Sequence, residues 1–228
     1  MTPQAEIADY NFVVSGLYDG LFVMEDEQTK SLWSHMTGQG IYGKHAGHQI
    51  PVSNLLHMSV RQALEMDPGM QLAMSERPYN SGSNRPAAGY SPGDTSATLM
   101  PIFIETLGEE DNRRPRMDLG LGVWTVNTKR YYSVEVLRAN DNRIIDEIDG
   151  RSLLVFLEPL TSTPSAVYWE SESVTLQGRE FELDDGYSIK NSQLFDPSGA
   201  RVTVEQPMQI FTRWYGFALT FPETEVVK

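Results

Sequence analysis

The chain has 228 residues, 31 acidic against 18 basic, for a formal net charge of −13, with four histidines and no cysteine. A chain of this length buries roughly 70% of its unfolded surface and needs neither disulfide nor metal merely to fold, and its 40% hydrophobic and 21% charged residues describe a globular protein rather than a polyelectrolyte. The negative balance argues against nucleic acid or an anionic membrane surface as a partner; the missing cysteine removes disulfides, thiolate nucleophiles and thiolate metal sites.

In chain order, the first nine residues are polar, with Glu6 and Asp9, and carry no signal-peptide pattern. No apolar run anywhere reaches the roughly 18 residues of a membrane span, so the chain taken at face value is soluble. Two apolar runs, 12–14 and 21–24, flank Asp19-Gly20, a dipeptide suited to a hairpin turn. Gly38-Gln39-Gly40-Ile41-Tyr42-Gly43 matches the dinucleotide fingerprint letter for letter, but Lys44, His45 and Pro51 follow where a phosphate-binding helix must start. A Gly-rich turn with close backbone packing is the better reading. Residues 53–66 read as a helix stopped by Asp67-Pro68. Residues 76–99 hold three Pro and three Gly among Ser and Asn and read as a long loop, either a connector or a lid. Strands are expected at 100–104, 121–126, 153–157, 166–170, 181–183 and 202–204, a short helix at 134–138, and a second Pro-stopped helix at 209–220.

The two helices align at a constant offset of 154 residues: Val60, Ala63, Leu64 and Pro68 against Trp214, Phe217, Ala218 and Pro222. Upstream of each lies an Asp-led turn, at Asp26 and at Asp196. The fold expected is therefore a β-rich α+β unit with a degenerate internal duplication and two short Pro-terminated helices, organised as a first pseudo-repeat (1–75), a loop (76–99), and middle strands with a second pseudo-repeat (100–228) in one compact domain.

Chemistry-bearing motifs are sparse. The sequence holds no Gly-x-Ser-x-Gly elbow, no His-Glu-x-x-His and no phosphate loop. Acidic clusters such as Glu109-Glu110-Asp111 and Asp184-Asp185 read as solvated turns; Asp26, at the head of a turn, is retained as the candidate catalytic carboxylate. Trp33, Thr37, Trp214 and Tyr215 are candidate ligand-binding residues, with the hydrophobic core as the bland alternative for the aromatics. All four histidines fall between 35 and 57, beside Met36 and Met58. Imidazole with thioether suits copper, and imidazole alone suits zinc, so His35, His45 and His48 are the candidate metal ligands, with polar loop histidines as the alternative. The first half spans 42 positions from Asp26 to Pro68 where the second spans 26 from Asp196 to Pro222. An elaboration confined to one copy is where function is expected.

Val14-Ser15-Gly16-Leu17-Tyr18, the run Val23-Met24-x-Asp26-x-x-Thr29-x-Ser31-Leu32-Trp33-Ser34, Thr37 with the glycines 38, 40, 43 and 47, the stretch Asp146 to Val155, and the stretch Phe211 to Thr224 together resemble a bacterial family catalogued as domain of unknown function 3179. The resemblance runs from about Asn11 to Val227. Many members of that family carry a leader and a Cys-containing strand before the first of these elements; this chain starts at Met1 without that Cys, which implies a truncated start or a branch lacking the strand. The resemblance implies an extracytoplasmic origin for many relatives and no particular activity. The expectation is a small-molecule- or metal-binding module, with a hydrolase or lyase using a His/Asp site in the first half, or a structural or interaction protein, as alternatives, and an oligomeric state that the sequence leaves open.

Overall fold

A computed structural model describes residues 10–55, 57–71 and 99–228. The described residues form four β-sheets and four short α-helices, so the fold is β-rich. The breaker-rich stretch from 76 to 98 lies outside the described residues. Among the described residues no helix is long and apolar enough to cross a membrane.

The chain divides into two compact units that interleave along the sequence: of the described residues the first takes 10–55, 99–133 and 207–228, the second 57–71 and 134–206. The first unit opens with an antiparallel sheet of β1 (Phe12–Tyr18), β2 (Leu21–Asp26), β3 (Leu32–Ser34) and β4 (Gly40–Tyr42) in that order. Its first hairpin turns through Asp19 and Gly20, both in the left-handed region at φ 51° and 68°, as an Asp-Gly type I′ turn requires. A second sheet has the order β15 (Met208–Arg213), β5 (Leu119–Trp124), β6 (Lys129–Ser133) and β16 (Glu225–Val226). Behind it Tyr131, Trp214, Phe217 and Ala218 make a buried cluster joined by Met36. The expected helix at 209–220 divides there: Ile210, Phe211 and Thr212 are β-branched or aromatic and pair with Leu121 and its neighbours on β5, and only Trp214–Thr220 is helical (α4). The expected strand at 100–104 is instead the short helix α2 (Pro101–Ile104); Pro101 at its start has no N–H to give a ladder but a φ already set for a helix.

In the second unit β7 (Arg143–Ile148), β8 (Arg151–Leu157) and β9 (Pro164–Tyr168) form an antiparallel meander. β10 (Val174–Gln177), β11 (Glu180–Leu183), β12 (Ser188–Lys190), β13 (Gln193–Phe195) and β14 (Arg201–Val202) form a five-stranded one. Leu154, Phe156 and Val167 of the first meander are buried with Val174, Phe181, Leu183, Ile189 and Leu194 of the second in one cluster. Helix α3 (Val134–Ala139) packs on β7 and β8. Helix α1 covers only Val60–Met66, shorter than the expected 53–66, because Ser59 is its N-cap. The Ser59 hydroxyl accepts from the Gln62 amide while the Gln62 side chain accepts from the Ser59 N–H, a reciprocal box that fixes where the helix begins.

Candidate functional site

Asp26 ends β2 and is fully buried. One carboxylate oxygen accepts the Thr29 amide at 2.5 Å, both accept the Thr29 hydroxyl at 2.8 Å, and Oδ2 accepts the Trp33 indole N–H at 2.9 Å. Burial pushes its pKa up, but the bonds from Trp33 and Thr29 outweigh it, so the carboxyl sits below its ordinary value. The charge is thus occupied in closing the turn and anchoring Trp33, whereas a general base must keep a lone pair for the substrate. Trp33 itself is fully buried, with Phe12 edge-on at 6.1 Å and His45 stacked at 5.7 Å.

His45 is held on its other side by the Tyr10 hydroxyl, 2.9 Å from Nε2, and meets His48 ring edge to face at 5.2 Å. The loop carries His45 close because Gly40 has no side chain: a Cβ there would collide with the His45 carbonyl. This is the close packing expected of the Gly-rich run. His35 belongs to a different constellation, with Nδ1 at 2.6 Å from the Phe22 carbonyl oxygen. Among the described residues no three His, Asp or Glu side chains gather as a metal group, so the expected copper or zinc trio of His35, His45 and His48 is not assembled; His35 sits in the turn after β3, and His45 and His48 in the loop after β4.

His35 and Thr37 do share a cleft of about 280 Å³ in the first unit, with Asp19, Ser34, Gln39 and Thr220 among its other polar residues and Leu21, Val23 and Leu219 among the apolar ones. The Phe22 carbonyl can only accept, so Nδ1 of His35 carries a proton, and in the neutral ring Nε2 keeps the lone pair. Ser34 Oγ accepts the Thr37 amide, and Thr37 Oγ1 accepts the Gln39 amide, which holds the turn in shape. Asp19 Oδ1 accepts the Gly108 amide at 3.2 Å.

The other aromatic candidates do not line this cleft. Trp214 is fully buried and gives its indole N–H to the Asp111 carbonyl at 2.7 Å. Tyr215 gives its hydroxyl proton to the Gly20 carbonyl at 3.2 Å, tying α4 to the first hairpin, and burial raises its pKa against the opposing pull of Arg213.

A larger cleft, about 590 Å³, lies in the second unit between the end of α1, at Glu65 and Met66, and the outward face of the five-stranded sheet. The strand register explains it. Ser188 faces Phe195, Lys190 faces Gln193, and Phe195 faces Arg201, so these side chains share the face opposite the buried Phe181, Ile189 and Leu194. Sequence reasoning passed over these residues. The signal available was the alternation of polar and apolar residues from 180 to 195, which marks a half-solvated sheet but says nothing of the helix that walls one side of it.

The model of a protein family of unknown function, DUF3179, matches residues 2–227. No curated protein and no solved structure matches the chain.

Proposed function

Since the chain belongs to the protein family of unknown function DUF3179, whose description assigns no activity, we propose from the site geometry that it is a small-ligand-binding module acting through the first-unit cleft. The observation that carries this reading is the anchored ring of His35: with its Nδ1 proton committed to the Phe22 carbonyl, the neutral ring offers an Nε2 acceptor in the cleft that Thr37 and Asp19 also line. Such a set suits a small ligand bearing hydroxyl or amine donors. The test is a calorimetric and NMR screen of hydroxy acids, amino acids and amines against the whole chain. A ligand of this site shifts the His35 Hε1 resonance, and His35→Ala weakens it about tenfold, the worth of one good hydrogen bond. Hits whose affinity ignores His35→Ala and Thr37→Val would overturn the reading.

A hydrolase or lyase is the second reading, favoured by the same lone pair, with His35 as base and Asp19 rather than Asp26 as the carboxylate in the cleft.

The same proposal keeps the internal duplication. Asp26 and Asp196 each head a turn whose backbone amides they accept, from Thr29 in one and from Ser198 and Ala200 in the other. Asp26 shares its unit with α4 and Asp196 shares its unit with α1, the arrangement expected of duplicated halves that have exchanged helices.

A further inference from the structure

We propose a second binding site, beyond the reading above, on the outward face of the five-stranded sheet of the second unit, and assign it to a neutral polyhydroxylated ligand, a short oligosaccharide. Gln193 carries the argument. It is 8% exposed and lines the 590 Å³ cleft, yet its side-chain amide makes no hydrogen bond to any described residue. Such an amide, at the wall of a cleft and engaged by none of the described side chains, is a donor and acceptor set open to what enters.

Its neighbours define the chemistry. Asn191, 9% exposed, sits in the hairpin turn before Gln193 with φ 49° and gives its Nδ2 proton to Glu65 Oε2 at 3.1 Å. That bond fixes the amide and turns its oxygen into a held acceptor. Lys190 and Glu180 neutralise each other at 2.9 Å, so the groups most buried in the cleft are uncharged amides. Glu65 and Glu180 balance Lys190 and Arg201 around it, which gives no preference for a charged ligand. Amides that donate and accept side by side match vicinal hydroxyls, and Phe195 supplies an apolar ring for the C–H face of a sugar. The volume falls within the range of small-molecule sites, roughly 300–1,000 Å³, and suits more than one sugar ring.

The test is a titration of the isotope-labelled whole chain with maltotriose, cellotriose and tri-N-acetylchitotriose, with triglycine as the peptide control. At least one trisaccharide shifts the side-chain amide resonances of Gln193 and Asn191. Gln193→Leu and the isosteric Gln193→Glu each weaken that binding about tenfold. His35→Ala leaves this binding unchanged, which separates the site from the first-unit cleft. The assignment is overturned if none of the three sugars moves those resonances, if both Gln193 variants bind as the wild type does, or if triglycine binds there in their place.

Discussion

Asp184 accepts four hydrogen bonds from a loop eleven to thirteen residues before it: the Ser173 hydroxyl and amide, the Ser171 hydroxyl and the Glu172 amide. These bonds, the Ser173 hydroxyl foremost, take its pKa from the ordinary 3.8 down to about 2. A carboxyl depressed by folding adds stability that is fully present above its unfolded pKa and lost as pH falls through the folded one. The difference in thermal midpoint between the wild type and Asp184→Asn is therefore expected to be constant above pH 5 and to shrink between about pH 4 and pH 2. A difference that holds unchanged down to pH 2 would refute the assignment. From the sequence, Asp184-Asp185 reads as a solvated turn, because the partners that occupy Asp184 are brought to it by the β10–β11 hairpin. Asp26 is the more legible case: its partners Thr29 and Trp33 lie three and seven residues away, so the turn is visible in the local pattern. That this turn consumes the whole carboxylate is not visible until the Trp33 indole is placed.

At the scale of elements, hairpins follow their turn dipeptides closely. Asp19-Gly20 and Asp149-Gly150 both occupy left-handed conformations that few other pairs adopt easily. Helix ends follow their caps and prolines. What local pattern misassigns is an apolar run with two uses: 209–220 has helical spacing throughout, yet its first half is claimed by pairing with β5, a strand ninety residues earlier. The close approach of α4 to β5 depends on Gly122, where an added Cβ would run into the ring of Phe217. That ring has no room to retreat, since Tyr131 at 5.8 Å and Phe221 at 5.0 Å flank it. Gly122→Ala is expected to cost about 1–3 kcal/mol in denaturant unfolding, as overpacked cores do. Phe217→Leu in the same background is expected to recover part of that loss; strictly additive losses would mean the two residues do not meet.

Over the whole molecule, length and composition announce a self-sufficient core and the alternation announces a β-rich fold, but the allocation of strands to units is set by pairings far apart in sequence. β15 joins β5 and β16 joins β6, so the first unit closes only when the last twenty residues return to it. The second unit is different. Both of its sheets, its helix α3 and all eight residues of its buried cluster fall within 134–206, and among the described residues only 57–71, with α1, come from elsewhere. Stability should follow the contiguous core, since α1 buries little beyond its own capping residue Gln62. Residues 134–206 expressed alone are thus expected to give a β-type circular dichroism spectrum and a cooperative thermal transition, at a lower midpoint than the whole chain because a domain near 70 residues has little surplus stability. The same fragment lacks Glu65, which holds Asn191 in place, so it should bind a trisaccharide more weakly than the whole chain. A fragment that binds dye as a collapsed state and melts without a transition would show that the buried cluster needs the rest of the chain to form.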